Sequence, residues 1–190
     1  MNEMGGTKEH IIMARINLVD PNAMTEEQQT QFERFPANLT CGLLRTGAST
    51  AAYLSLGASF LKAKLAPKDR ELVILRVGAL SASEYERMQH LPIARRVGWS
   101  AEDICAIEKG DQVALGVRSA ALLRFVDECV YRVKVSSTTF ADVKQFMSEQ
   151  EVAEITLLIG HYMMTARFLE TLEIDLDKQP TPWTGVTATD

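Results

Sequence analysis

The stretch that decides the fold runs from Leu65 to Gly110: LAPKDRELVILRVGALSASEYERMQHLPIARRVGWSAEDICAIEKG. Pro67 suits the first turn of a helix, where its missing N–H costs nothing, and Asp69 and Glu71 carry negative charge toward that helix's positive end. The run Leu72-Val73-Ile74-Leu75 leaves no polar side, as in a helix buried all round. Glu71 and Arg76 on that helix therefore need a partner or a wet cavity. After Gly78 and the Ser81-Ala82-Ser83 stretch, Glu84 to Val97 reads as a second helix, bent at Pro92 and closed by Gly98 as its C-cap. The short connection predicts that the two helices return antiparallel as a hairpin.

Outward from this hairpin, apolar residues recur at three- and four-residue spacing, and no stretch alternates apolar and polar residues between hairpin turns. The expected fold class is all-α. Thr25 with Gln28 forms a capping-box pattern that starts a helix near Glu26 to Phe35. Beyond Pro36 the segment Leu39 to Arg45 is apolar on one side, Gly47 interrupts, and Ser49 can cap a helix carrying Tyr53, Leu54, Leu56, Phe60 and Leu61. Ser100 with Asp103 resembles a variant capping box and Ser148 with Glu151 a standard one, while Ala120 to Val133 carries a helical apolar stripe. The last helix is expected from about Glu149 to Leu172. One domain is expected over residues 1–190. Its arm, residues 1–24, is irregular because Gly5, Gly6, Pro21 and Asn22 break any period, and a flexible tail covers 178–190, with Trp183 available as an anchor.

The chain has 190 residues, 46% hydrophobic and 24% charged, enough to bury a core without a disulfide or structural metal. The net charge of −5 and pI near 5.3 argue against nucleic acid, although Arg76, Arg87, Arg95 and Arg96 make one local basic stretch. No apolar run approaches the roughly 20 residues that span a bilayer, and Glu3, Lys8 and Glu9 interrupt any signal-peptide core. The expectation is a cytoplasmic protein with no membrane partner. Cys41, Cys105 and Cys129 are far apart, form no CxxC pair and lie among apolar neighbours, which reads as small buried hydrophobes.

Glu86 and His90 are four residues apart on a predicted helix and share one face. Across the hairpin, Glu71 can meet that face, so two carboxylates and an imidazole share one pocket. Such a set can move protons, because a carboxylate beside another has raised proton affinity and histidine titrates near neutrality. The bland alternative is an ordinary surface pair at helical spacing. Arg76 suits either a developing negative charge or, more simply, a buried carboxylate. His161 and Tyr162, among Leu158, Ile159 and Met163, read as core or interface residues rather than substrate contacts, and Met163 and Met164 as packing. His10 lies in the arm and is assigned no role. Two carboxylates with one histidine and no cysteine are a weak metal signature, so no metal is expected.

The Leu65 to Gly110 run resembles the central block of the carboxymuconolactone decarboxylase family, related to alkyl hydroperoxidase D, with weaker likeness through Phe35-Pro36-Ala37-Asn38-Leu39 and the last helix. Its most specific parts are Arg70-Glu71-Leu72, Ile74-Leu75-Arg76, Glu84-Tyr85-Glu86, His90 and Ile93-Ala94-Arg95. Alkyl hydroperoxidase D-like members carry a glutamate, a CxxC pair and a histidine where this chain has Glu71, Ser83, Glu86 and His90. Serine and glutamate replace the thiols, so neither a peroxide nucleophile nor a recyclable disulfide is present there. The resemblance implies an alkyl hydroperoxidase D-like helical bundle, assembled as a homo-oligomer, a trimer or hexamer. It also implies a cofactor-independent acid/base enzyme acting in decarboxylation or lactone turnover on a small carboxylated molecule. His90 would be the general base or acid, Glu86 its orienting partner and Glu71 the second proton carrier. Ser83 would hydrogen-bond substrate or else cap the helix that begins at Glu84. The alternatives are a thiol peroxidase or alkyl hydroperoxide reductase-like antioxidant protein, disfavoured by the missing CxxC, and a non-catalytic binding or assembly module.

Overall fold

The computed structural model describes residues 14–181. Among the described residues the chain forms nine α-helices and no strand: α1 (Glu26–Arg34), α2 (Asn38–Leu43), α3 (Ser49–Ser59), α4 (Pro67–Leu80), α5 (Glu84–Arg96), α6 (Ala101–Lys109), α7 (Val117–Arg132), α8 (Ser137–Lys144) and α9 (Glu149–Leu172). The capping boxes of Thr25–Gln28, Ser100–Asp103 and Ser148–Glu151 start α1, α6 and α9. In each the side-chain oxygens satisfy amides that have no partner inside the helix. Among the described residues no helix is long and apolar enough to cross a membrane.

Helix α4 lies at the centre, packed against α5, α6, α7 and α9. Its apolar run is why: Leu72, Val73 and Val77 have no exposed surface, and a helix without a polar face is stable only when covered on every side. A second, smaller cluster joins Phe35, Leu39, Leu43 and Leu54 to Tyr85, Leu169 and Ile174. The α4–α5 hairpin turns through Ser81 and Ala82, and the Ser83 N–H donates to the Gly78 carbonyl at 2.9 Å. Gly78 allows the helices to approach closely, since a Cβ there would stand 3.3 Å from Glu86 Cβ. Pro92 lies inside α5, which runs through it to Arg96, and Gly98 follows in the left-handed region at φ 92°.

Arg76 takes the structural reading. Its Nε donates to Asp127 Oδ1 at 2.5 Å, and its Nη1 donates to the carbonyls of Ile107 and Glu108 at the end of α6. Gly110, at φ 76°, leaves room for the guanidinium, since a Cβ there would stand 2.5 Å from Arg76 Nη2.

One expectation needs correction, and three features go beyond what was expected. Cys105 is exposed, while Cys41 is buried and Cys129 partly so. On the amphipathic helix α6, Ile104, Ala106 and Ile107 turn inward, leaving Cys105 on the outer face. Helix α8 is not announced by apolar periodicity. Its first turn is Ser-Thr-Thr, poor in helix propensity, and it is held by the Ser136 cap and by buried Val143, with Phe140 facing Phe125 at 6.5 Å. Helix α7 starts at Val117, three residues before the expected Ala120. Finally, within the segment expected as a tail, Thr181 is buried and its N–H donates to Gln89 Oε1 at 2.8 Å.

The described part of the arm docks on the end of α9 and on α2. The Arg15 N–H donates to the Leu172 carbonyl at 2.8 Å and the Val19 N–H to the Cys41 carbonyl at 3.1 Å. His10 and Trp183 lie outside the described residues.

Candidate active site

Helix α4 contributes Glu71, α5 contributes Glu86 and His90, and α9 contributes His161, Tyr162 and Thr165. His90 Nδ1 is 2.9 Å from Glu71 Oε2, and the other Glu71 oxygen accepts from Arg70 Nε at 3.2 Å. Arg70 Nη1 donates to the Phe60 carbonyl at 3.3 Å. On the far side of the ring, His90 Nε2 is 3.1 Å from the Tyr162 hydroxyl. Burial, together with the nearby carboxylates of Glu86 and Glu71, holds the Tyr162 hydroxyl well above its ordinary range, so it keeps its proton. The partners assign the tautomer: Nδ1–H donates to Glu71, and Nε2 accepts from Tyr162. The result is one buried chain, Arg70–Glu71–His90–Tyr162.

This chain ends at a cavity of about 100 Å³ lined by residues of α1, α2, α3, α5 and α9. Tyr53, Leu54, Glu86, His161, Tyr162 and Thr165 form much of its wall. Glu86 is buried, and its Oε1 has no hydrogen-bond partner. Burial, with the negative charge of Glu170 and Glu71 nearby, pushes its carboxyl group well above the usual range and so favours its protonated form. His161 packs against Tyr53, Phe60 and Tyr162 with ring centroids 4.8, 5.4 and 5.4 Å away, and its Nδ1 is also without a partner. Burial, aided by His90, pushes its pKa down to about 4, so this imidazole is neutral. The Tyr53 hydroxyl pairs with Thr165 Oγ1, which in turn donates to the His161 carbonyl at 2.9 Å.

The structure thus brings Glu71 and His90 into direct contact and places Glu86 on the adjoining wall. The contact with His90 expected of Glu86 is made by Glu71 from the preceding helix, and Glu86 lines the cavity. Ser83 is the N-cap of α5, accepting from the Glu86 N–H at 3.5 Å, and it is not part of the cavity wall. Tyr162, His161, Tyr53 and Gln89 line the cavity although spacing did not select them. Gln89 also holds the C-terminal segment, donating to Asp177 Oδ2 at 3.0 Å. Among the described residues no three His, Cys, Asp or Glu side chains gather as a metal site requires, and no cysteine lines the cavity.

Residues 48–128, which include α4, α5 and all of Glu71, Glu86 and His90, match the sequence profile of the carboxymuconolactone decarboxylase family. That segment carries the likeness to the family, and the fold is all-α and similar to that of the alkylhydroperoxidase AhpD core. Among solved structures, it is similar to the alkylhydroperoxidase AhpD core of a peroxidase-related protein from Ralstonia eutropha JMP134. That match has TM-score 0.74 and 14% identity over 89% of this chain and 94% of the relative. It is also similar to the debrominase Bmp8, in its C82A form with 2,3,4-tribromopyrrole, at TM-score 0.68 and 13% identity over 87% and 95% of the two chains. An AhpD-type protein of unknown function from Agrobacterium tumefaciens matches at TM-score 0.66 and 17% identity, over 72% and 96%. No curated protein matches the chain.

Proposed function

We propose that the protein is a cofactor-independent acid/base enzyme that moves a proton on a small carboxylated molecule, in decarboxylation or lactone turnover. The observation that carries this reading is the buried Arg70–Glu71–His90–Tyr162 chain ending beside buried Glu86 at a cavity.

The parts divide the chemistry. With a substrate carbonyl on the Glu86 carboxyl group, a proton α to that carbonyl passes to the Tyr162 oxygen as the tyrosine's own proton passes to His90 Nε2. The electron pair of the broken C–H bond enters an enolate held by Glu86, and Glu71 stabilises the new imidazolium. No tyrosinate forms, which suits a phenol so reluctant to ionise. In decarboxylation a C–C bond breaks instead, carbon dioxide leaves, the electron pair of the broken bond enters the enolate beside Glu86, and the carbon then takes the Glu86 carboxyl proton, which solvent restores. Among the described residues, Arg34 on the cavity wall has no carboxylate partner: its guanidinium donates to Gln31 Oε1, Ser55 Oγ and the Ala51 carbonyl. It offers a place for the substrate's carboxylate at the surface.

The debrominase relative, solved with a small heteroaromatic molecule, supports a small ligand on this fold. A thiol-peroxidase mechanism finds less support, since it needs a reactive thiolate at the site, and burial raises the thiols of Cys41 and Cys129. The proposal includes the homo-oligomeric assembly implied by the family resemblance, which light scattering of the purified protein checks.

The test is a panel of carboxylated lactones and β-keto acids, followed by NMR for carbon dioxide release and solvent-deuterium incorporation. His90→Asn is expected to lower turnover by about 100-fold or more, the contribution typical of a positioned general acid or base. Turnover unaffected by that substitution refutes the assignment.

A further inference from the structure

Two buried side chains on the cavity wall are left without partners. Glu86 and His161 are 5% and 6% exposed, yet Glu86 Oε1 and His161 Nδ1 make no hydrogen bond. Buried polar atoms in native proteins are nearly always satisfied, so each such exception calls for a partner supplied from outside the chain. Both atoms belong to residues lining the same cavity, whose volume of about 100 Å³ is several times what one water needs. They lie beside Tyr162, where the buried proton chain ends.

We propose that this cavity binds the uncharged polar end of a small molecule, a carbonyl, lactone or amide rather than a carboxylate, between the Glu86 carboxyl group and His161 Nδ1. The inference rests on the proton-transfer reading for turnover, and it names the part of the substrate that enters.

The charge pattern selects a neutral group. A carboxylate pushed inside would meet Glu86, with Glu71 and Glu170 close behind it. The Arg70 guanidinium is already engaged by Glu71, and Arg34 belongs to an exposed position of α1. An anion lodged between Glu86 and His161 would therefore be buried without a counter-charge, which is strongly unfavourable. A carbonyl oxygen has no such difficulty. It accepts from a protonated carboxyl group, and an adjoining N–H or O–H can donate to a neutral imidazole. The surroundings favour these forms, since burial among carboxylates raises the proton affinity of Glu86 and His161 takes up its proton only well below neutrality. The apolar remainder of the wall, with Leu39, Leu54 and Leu169, suits a hydrocarbon ring.

The probes are δ-valerolactam, δ-valerolactone and pentanoate, titrated at neutral pH into the full-length protein by calorimetry or by ligand-observed NMR. The lactam and the lactone are expected to bind, and pentanoate to bind at least about 10-fold more weakly, as loss of one good hydrogen bond implies. His161→Phe and Glu86→Leu are each expected to weaken the lactam by about 2- to 10-fold, whereas Glu86→Gln, a neutral donor of the same shape, holds it within about 2-fold. Pentanoate binding as tightly as the lactam overturns the proposal, as does lactam affinity untouched by both His161→Phe and Glu86→Leu, or failure of every probe to bind. His90→Asn separates the two readings. It should leave lactam binding in place while abolishing proton exchange; exchange that survives it defeats the catalytic reading and leaves the binding site standing.

Discussion

Replacing His161 by phenylalanine should make the protein less sensitive to acid. The imidazole is packed among Tyr53, Phe60 and Tyr162, and burial first, then the neighbouring His90, lowers its pKa from 6.5 to about 4. In the unfolded chain it takes a proton below about 6.5, while the folded protein resists until about 4. The unfolded state therefore binds more protons in this interval, and stability fully present above the unfolded value is lost as pH falls toward and through the folded one. A tenfold difference in proton affinity between the two states corresponds to about 1.4 kcal/mol, so between about pH 7 and pH 5 His161 alone removes about 2 kcal/mol of stability. Urea unfolding followed by circular dichroism, at both pH values and matched ionic strength, measures this as a difference of differences. With an m-value of about 2 kcal/mol/M, the midpoint of the parent protein should fall by about 1 M more than that of His161→Phe. Equal losses in the two proteins, to within about 0.5 kcal/mol, would refute the claim that His161 is buried in its neutral form.

Glu71→Ala leaves Arg70 and His90 buried without their carboxylate and should cost about 3–5 kcal/mol in the same urea assay. Glu86→Gln removes a carboxyl group that holds its proton more tightly in the folded protein than in the unfolded chain. The variant should match the parent near about pH 4.5 and become progressively more stable than it as pH rises, in a pH series of thermal melts. Gly110→Ala forces a Cβ onto a left-handed residue and against Arg76 Nη2, for a loss of about 1–2 kcal/mol and a melting point lower by about 2–8 °C. Asp177→Ala removes the acceptor of the Asn38 N–H, of Gln89 Nε2 and of the Tyr85 hydroxyl. Limited trypsin digestion should then cleave after Lys178 faster than in the parent.

What periodicity could and could not show follows from how far each contact reaches. The α4–α5 hairpin was legible because it is local: an apolar run, a short connection and a Glu86–His90 pair at helical spacing place three chemical groups within one supersecondary unit. Which carboxylate would bond to His90 was not legible. That depends on how α4 and α5 are rotated against each other, and the rotation is fixed where Gly78 lets Glu86 Cβ come close. Tyr162 stands 72 residues from His90 along the chain, and their contact exists because α9 packs across α4, which no local pattern encodes. The available signal was chemical: His161, Tyr162 and Thr165 are polar groups on the buried face of a long helix, and buried polar groups require partners. The same argument governs α4, where the sequence announces that Arg70, Glu71 and Arg76 must be satisfied without saying by what. Arg76 finds Asp127 and the end of α6, so its charge serves the fold. Arg70 and Glu71 find each other and His90, so theirs is aligned on the cavity. Arg70, Glu71 and Arg76 on one buried helix thus divide between the α6–α7 packing and the His90 side of the molecule according to the element each one meets.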